Sequence, residues 1–152
     1  YNNSVKELYM YEYYCEVTRI VDGDTLDVDI DLGFSTKLVK KRIRMLGIDT
    51  PESRTRDKEE KSRGLLSKQY LYDLCPLGSK IKLISHGTGK FGRILGEIFA
   101  SDDSDNWGDV SINKQMCDEG YAVEYFGGNK DELAGKHQVN KEKLIAKGII
   151  SV

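Results

Sequence analysis

Residues 11–21 are rich in aromatic and β-branched side chains set at a rough period of two. That pattern predicts a strand. Asp22-Gly23 follows as a hairpin turn signal. Leu26-Asp27-Val28-Asp29-Ile30 alternates cleanly and predicts a second, half-buried strand. Asp24 has the parity of Leu26, Val28 and Ile30, so the alternation turns its carboxylate toward the core, at the mouth of whatever the sheet encloses. A carboxylate there needs a partner, and a metal is a natural one. Leu32-Gly33 makes the next turn. Residues 37–48 predict a third strand, basic first and apolar after, in which Gly47 marks a bulge or a close approach. Thr50-Pro51 ends it, because a residue before proline is pushed to extended conformation.

Beyond the proline the period changes. Leu65, Leu66, Gln69, Tyr70 and Leu74 recur at helical spacing, predicting a helix over 55–75 despite Gly64, stopped by Pro76 and Gly78. Lys80 to Ser85 reads as a fourth strand, His86 to Gly89 as a flexible turn, and Gly92 to Ala100 as a fifth strand. Residues 102–108 read as a polar hairpin tip. A short helix is predicted from Ile112 to Glu119, and a last one from Asp131 to Lys147, stopped by Gly148. Residues 1–9 are polar and expected to be loose. Three strands, a helix, two strands and further helices predict an α+β, mainly β, domain: a five-stranded OB-fold barrel with about three flanking helices.

A length of 152 residues implies one domain with a core of its own. No apolar run approaches the roughly 20 residues of a membrane span. No signal peptide is visible, although the chain begins at Tyr1, so compartment is left open between cytoplasm and secretion after loss of a leader. The expected state is a monomer. Three cysteines, Cys15, Cys75 and Cys117, lack CxxC spacing and read as small buried apolar residues. A net charge of −2 does not advertise a nucleic-acid binder, but Lys37, Lys40, Lys41, Arg42 and Arg44 form a local basic patch. That patch reads equally as a solvated strand face. Tyr9, Tyr11, Tyr13 and Tyr14 are expected to pack rather than stack on bases.

The chemistry concentrates in two turns. Asp24 in the first, with Asp49 and Glu52 in the second, gives carboxylates able to converge at strand ends. They are short, hard oxygen donors suited to calcium or magnesium. His86 and His137 form no HxxxH or HxxE pair, so a transition-metal site has little support. An EF-hand does not fit the acidic run from Asp22 to Asp31: counted from Asp27, Leu32 and Leu38 stand where Gly and Glu are needed. Arg44 before the second turn and Arg93 further on could fork onto phosphate oxygens. Carboxylates for a hard cation beside two guanidiniums suit phosphodiester hydrolysis, in which negative charge grows at the transition state.

These residues in this order resemble the staphylococcal nuclease family. The matching segments are Val21-Asp22-Gly23-Asp24-Thr25, Arg44-Met45-Leu46-Gly47-Ile48-Asp49-Thr50-Pro51-Glu52, and Lys90-Phe91-Gly92-Arg93. Val110-Ser111-Ile112-Asn113 and Asp118-Glu119-Gly120-Tyr121-Ala122-Val123 add to them. The resemblance implies an OB barrel and a calcium-dependent endonuclease or exonuclease acting on DNA and/or RNA, with products carrying 3′ phosphates. It implies that Asp24 and Asp49 bind calcium through side chains and Thr50 through its backbone carbonyl. Glu52 would order or deprotonate the attacking water, while Arg44 and Arg93 neutralise the phosphate. Lys90, Phe91 and Tyr125 would contact substrate. Two departures stand out: Gly89 replaces an aspartate frequent in the family, and Gly148-Ile149-Ile150-Ser151 lacks the family's C-terminal tryptophan. The competing reading is a catalytically silent OB-type module that binds nucleic acid or protein. Silent copies typically lose one or more of the carboxylates or arginines, and all five stand here.

Overall fold

Alternating apolar residues on five strands close a barrel around one core. The structure is a computed structural model that describes residues 11–101 and 106–151. Its elements are β1 (Tyr11–Asp22), β2 (Thr25–Gly33), β3 (Thr36–Met45), β4 (Ile48–Asp49), α1 (Lys58–Leu74), β5 (Lys80–Thr88), β6 (Ile94–Ala100), α2 (Ile112–Asp118), β7 (Val123–Glu124) and α3 (Lys130–Ala146). The barrel order is β1-β2-β3-β6-β5, closed by β1 against β5. Strands β3 and β6 run parallel, with Ile43, Arg44 and Met45 opposite Ile94, Leu95 and Gly96. The other pairs are antiparallel. Among the described residues, five strands in a mixed closed barrel with three helices make the expected OB fold. Closure leaves the barrel itself no free sheet edge among the described residues.

The interior is filled by the inward set of each strand. Val17, Leu26, Val28, Ile43, Met45, Ile81, Leu83 and Ile98 are all completely or almost completely buried. Cys15 and Cys75 belong to this core and Cys117 packs against it; all three thiols are free. Burial pushes the Cys15 and Cys75 thiols up to about 12, and Cys117 to about 11, so none is a ready nucleophile. Tyr13 packs against the core, as expected. Tyr14 is exposed on one side and stacked on Trp107 at 5.3 Å on the other. No helix among the described residues is long and apolar enough to cross a membrane.

Several boundaries differ from the sequence expectation. The third strand ends at Met45, not near residue 48. Gly47 then adopts φ of +79°, and Ile48–Asp49 leaves the barrel to pair with Val123–Glu124. The close approach expected at Gly47 is there: a Cβ would lie 2.7 Å from the Phe126 ring. Helix α1 starts at Lys58 because Asp57 caps it, accepting from the Glu59 and Glu60 amides. Strand β5 runs on to Thr88, and Lys90–Gly92 forms a short 3₁₀ turn before β6. The expected looseness of residues 1–9 lies outside the described residues, as does most of the loop expected at 102–108.

Candidate functional site

The two acidic turns meet because helix α1 offers them a flat face. Gly64, Ser67 and Leu71 form its buried stripe, at the three- and four-residue spacing of one helix side. The Gly64 backbone lies so close to the second turn that a Cβ there would sit 2.5 Å from the Glu52 carbonyl. A Cβ on Gly23, in the first turn, would meet the Ser67 Cβ at 2.8 Å and the Thr50 side chain at 3.0 Å. Small residues on both sides therefore let helix and turns stack backbone to backbone. Ser67 Oγ also donates to the Tyr121 carbonyl at 2.6 Å. Asn113 on α2 secures the end of β3, donating to the Leu46 and Gly96 carbonyls and accepting from the Ile98 amide.

On that support the first turn delivers a buried acid. Asp24 is 8% exposed. Its Oδ1 accepts from Thr25 Oγ1 at 2.9 Å, and its Oδ2 from the Thr50 amide at 3.3 Å. The Arg44 guanidinium lies 3.3 Å from Asp24 Oδ2 and 3.4 Å from Asp49 Oδ1, bridging the two turns. Its other terminal nitrogen donates to the Met45 carbonyl at 2.9 Å. The second Asp49 oxygen bonds His137 Nε2 at 2.8 Å, from α3. Burial is the main influence on the Asp24 carboxyl and holds it above the ordinary carboxylate range. Arg44 and Thr25 pull the other way and do not fully offset it.

Glu52 lies on the solvent side of this group. Its carboxyl is also raised, first by desolvation and then by Asp22, Asp24, Asp49 and Glu60. Glu52 lines a broad open cleft of about 630 Å³, together with Asp22, Asp27, Lys40, Arg42, Arg54, Phe91 and Arg93. Arg93 is held there by its Nε bond to the Lys90 carbonyl at 3.3 Å. Its guanidinium stands 5.9 Å from the Phe91 ring centroid. Phe91 is 94% exposed, an aromatic face open to solvent.

The structure thus brings Asp24, Arg44, Asp49 and Thr50 into one cluster, and Glu52, Phe91 and Arg93 into the adjoining cleft. Lys90 and Tyr125 do not line that cleft. Lys90 is exposed, and the Tyr125 amide is bound to the Gly47 carbonyl at 2.8 Å. Two contributors escaped the sequence reading. Asp22 lines the cleft and accepts from Ser53 Oγ at 2.7 Å. His137 reaches Asp49 across 88 residues of chain, and no spacing rule could have found that pair.

A profile of the staphylococcal nuclease homologue family matches residues 42–148, well over half of the chain. The chain belongs to that family. Among its relatives, Endonuclease YhcR of Bacillus subtilis is 30% identical over 122 residues, covering 76% of this chain. Micrococcal nuclease of Shigella flexneri is 30% identical over 132 residues, covering 84% of this chain. An uncharacterized protein of Methanocaldococcus jannaschii is 29% identical over 169 residues, covering 95%. The chain spans only 9% of the Bacillus endonuclease, against 67% of the Shigella nuclease and 76% of the archaeal protein. Nucleases are therefore among the relatives of this staphylococcal nuclease homologue.

The donor set fits a hard divalent cation. Among the described residues, no three Asp, Glu, His or Cys side chains stand close enough to form a metal cage alone. The donors at hand are the two carboxylates around Arg44, all oxygen. A carboxyl buried and raised as Asp24 is has a charge that Arg44 leaves partly uncompensated. An added cation, with water and phosphate oxygens completing its shell, suits that deficit.

Proposed function

We propose that this staphylococcal nuclease homologue is a calcium-dependent phosphodiesterase that cleaves DNA and/or RNA to products with 3′ phosphates. One observation carries the reading. Asp24 and Asp49 converge on Arg44 from separate turns, beside Glu52, whose carboxyl desolvation first and then its acidic neighbours hold high. Asp24 and Asp49 through their side chains, and Thr50 through its carbonyl, would hold the calcium. When bound, calcium supplies positive charge to a non-bridging phosphate oxygen.

The chain's own residues do the rest. Glu52 takes a proton from the attacking water, and a raised carboxyl is the better base for it. The new P–O bond forms as the bond to the 5′ oxygen breaks. The phosphate then remains on the 3′ side, and the leaving 5′ oxygen takes a proton from solvent water and is released as a 5′ hydroxyl, while Glu52 returns its proton to solvent. Arg44 and Arg93 offset the charge that grows on the equatorial oxygens, with the fork geometry lysine lacks. Phe91 offers an exposed ring to an unpaired base.

The test is incubation with single-stranded DNA under calcium, with end-group analysis. The expected result is cleavage to 3′-phosphate ends, abolished by EDTA and restored by calcium. Absence of cleavage under every divalent cation tried would sink the enzyme and leave the silent binding module.

A further inference from the structure

Beside Glu52 and Arg93, the same cleft is lined by Lys40, Arg42 and Arg54. Two residues on it adopt left-handed backbone conformations that side-chain-bearing residues rarely take: Lys40 at φ of +54° and Phe91 at +61°. Strain kept at two points of one cleft is a pointer to use. At Lys40 it arises from a β-bulge. Val28 pairs with Lys41 and Ile30 with Leu38, so Val39 and Lys40 together face Asp29. The Asp29 carboxylate fixes the bulge by accepting from the Lys40 amide at 3.0 Å. The extra residue re-aims the Lys40 side chain, which then lines the cleft.

The acids beside it are already engaged. Arg42 forks onto Asp27 at 2.8 and 3.1 Å, and Asp29 is spent on the Lys40 backbone. Among the described residues, neither the Lys40 ammonium nor the Arg54 guanidinium has a carboxylate partner. Both are exposed and both line the cleft that Arg93 and Glu52 share. Two such cations lining one cleft with an open aromatic ring match a backbone with a charge at every phosphate.

We propose that Lys40 and Arg54 form a phosphate track for a single-stranded polynucleotide, holding phosphates next to the one being cut. A single strand is favoured because Phe91 can stack only on an unpaired base. The track rests on the nuclease reading for its direction, and its test is built to stand apart from cleavage.

Anisotropy of a labelled 20-nucleotide single strand is measured against salt in calcium-free buffer, where no chemistry intervenes. The variants are Lys40→Gly, which removes the charge while suiting the left-handed backbone, and Arg54→Ala. Lys143→Ala, at an exposed position of α3, controls for net charge. Each track variant is expected to weaken binding by up to about fivefold. Each should also lower the salt slope by about 0.7, the share of one single-strand phosphate. Lys40→Arg should restore both. The track is overturned if the salt slope stays put in both track variants, or if Lys143→Ala lowers it equally. Failure of the unaltered protein to cut DNA would overturn the nuclease reading alone, since the binding arm still decides the track.

Discussion

Gly64→Ala tests how the candidate base is held. The new Cβ would lie 2.5 Å from the Glu52 carbonyl and 2.6 Å from the Ser53 amide, both backbone. Ordinary contact begins at 3.4 Å, so helix α1 and the second turn must separate by about 0.9 Å. Two effects on stability oppose each other. Alanine favours the helix by roughly 1 kcal/mol over glycine. Overpacking a tight contact costs about 1–3 kcal/mol. The expected net is a loss of at most about 2 kcal/mol, read by urea unfolding. Catalysis should suffer more, because a displacement of about 1 Å at a reacting group costs on the order of 100-fold. That equals about 2.7 kcal/mol of transition-state stabilisation. The assay is kcat/KM on single-stranded DNA under saturating calcium, beside an unfolding curve of the same sample. A variant more stable than the parent with undiminished kcat/KM would refute the argument that this contact positions Glu52.

Two further outcomes are expected. His137→Ala should lower calcium affinity about 10-fold, the usual weight of a group that orients a ligand carboxylate. Calcium titration followed by thermal shift measures it, and an unchanged midpoint would dismiss the role. Glu59→Gln should destabilise the protein by less than about 1 kcal/mol at pH 7, since the pairs to Arg63 and Lys141 are solvent-screened. The hydrogen bond from Arg63, aided by Lys141, holds the Glu59 carboxyl below its ordinary value of 4.5. Its contribution is thus full above that value and lost as pH falls through the depressed one. The gap between variant and parent should narrow in unfolding curves as pH falls from 7 to 3; a gap of equal size throughout would exclude the ion pairs as its cause.

The barrel was legible because each strand carries its own instruction. Leu26, Val28 and Ile30 alternate with Asp27 and Asp29, and a period of two permits one face to be buried. Helix α1 was legible from its period although its fully buried stripe is Gly64, Ser67 and Leu71, with Leu65 left exposed. Read along the chain, Gly64 looked like a weak point in a helix. In three dimensions it is the residue that lets the Glu52 backbone approach. The end of β3 was misplaced for a similar reason. Ile48 and Asp49 look like strand, and they are, but their partner is Val123–Glu124 rather than the barrel.

By itself the sequence determined the barrel, its helices and the two acidic turns with Arg44 beside them, because these follow from local periodicity, turn chemistry and residue type. Only the tertiary structure decided what those turns face. It set Arg44 across both carboxylates, brought His137 to Asp49, and aimed Lys40 into the cleft through a bulge. Side-chain period is a property of neighbours along the chain. A contact across 88 residues depends on how helices and strands close on each other, and no local pattern encodes that distance.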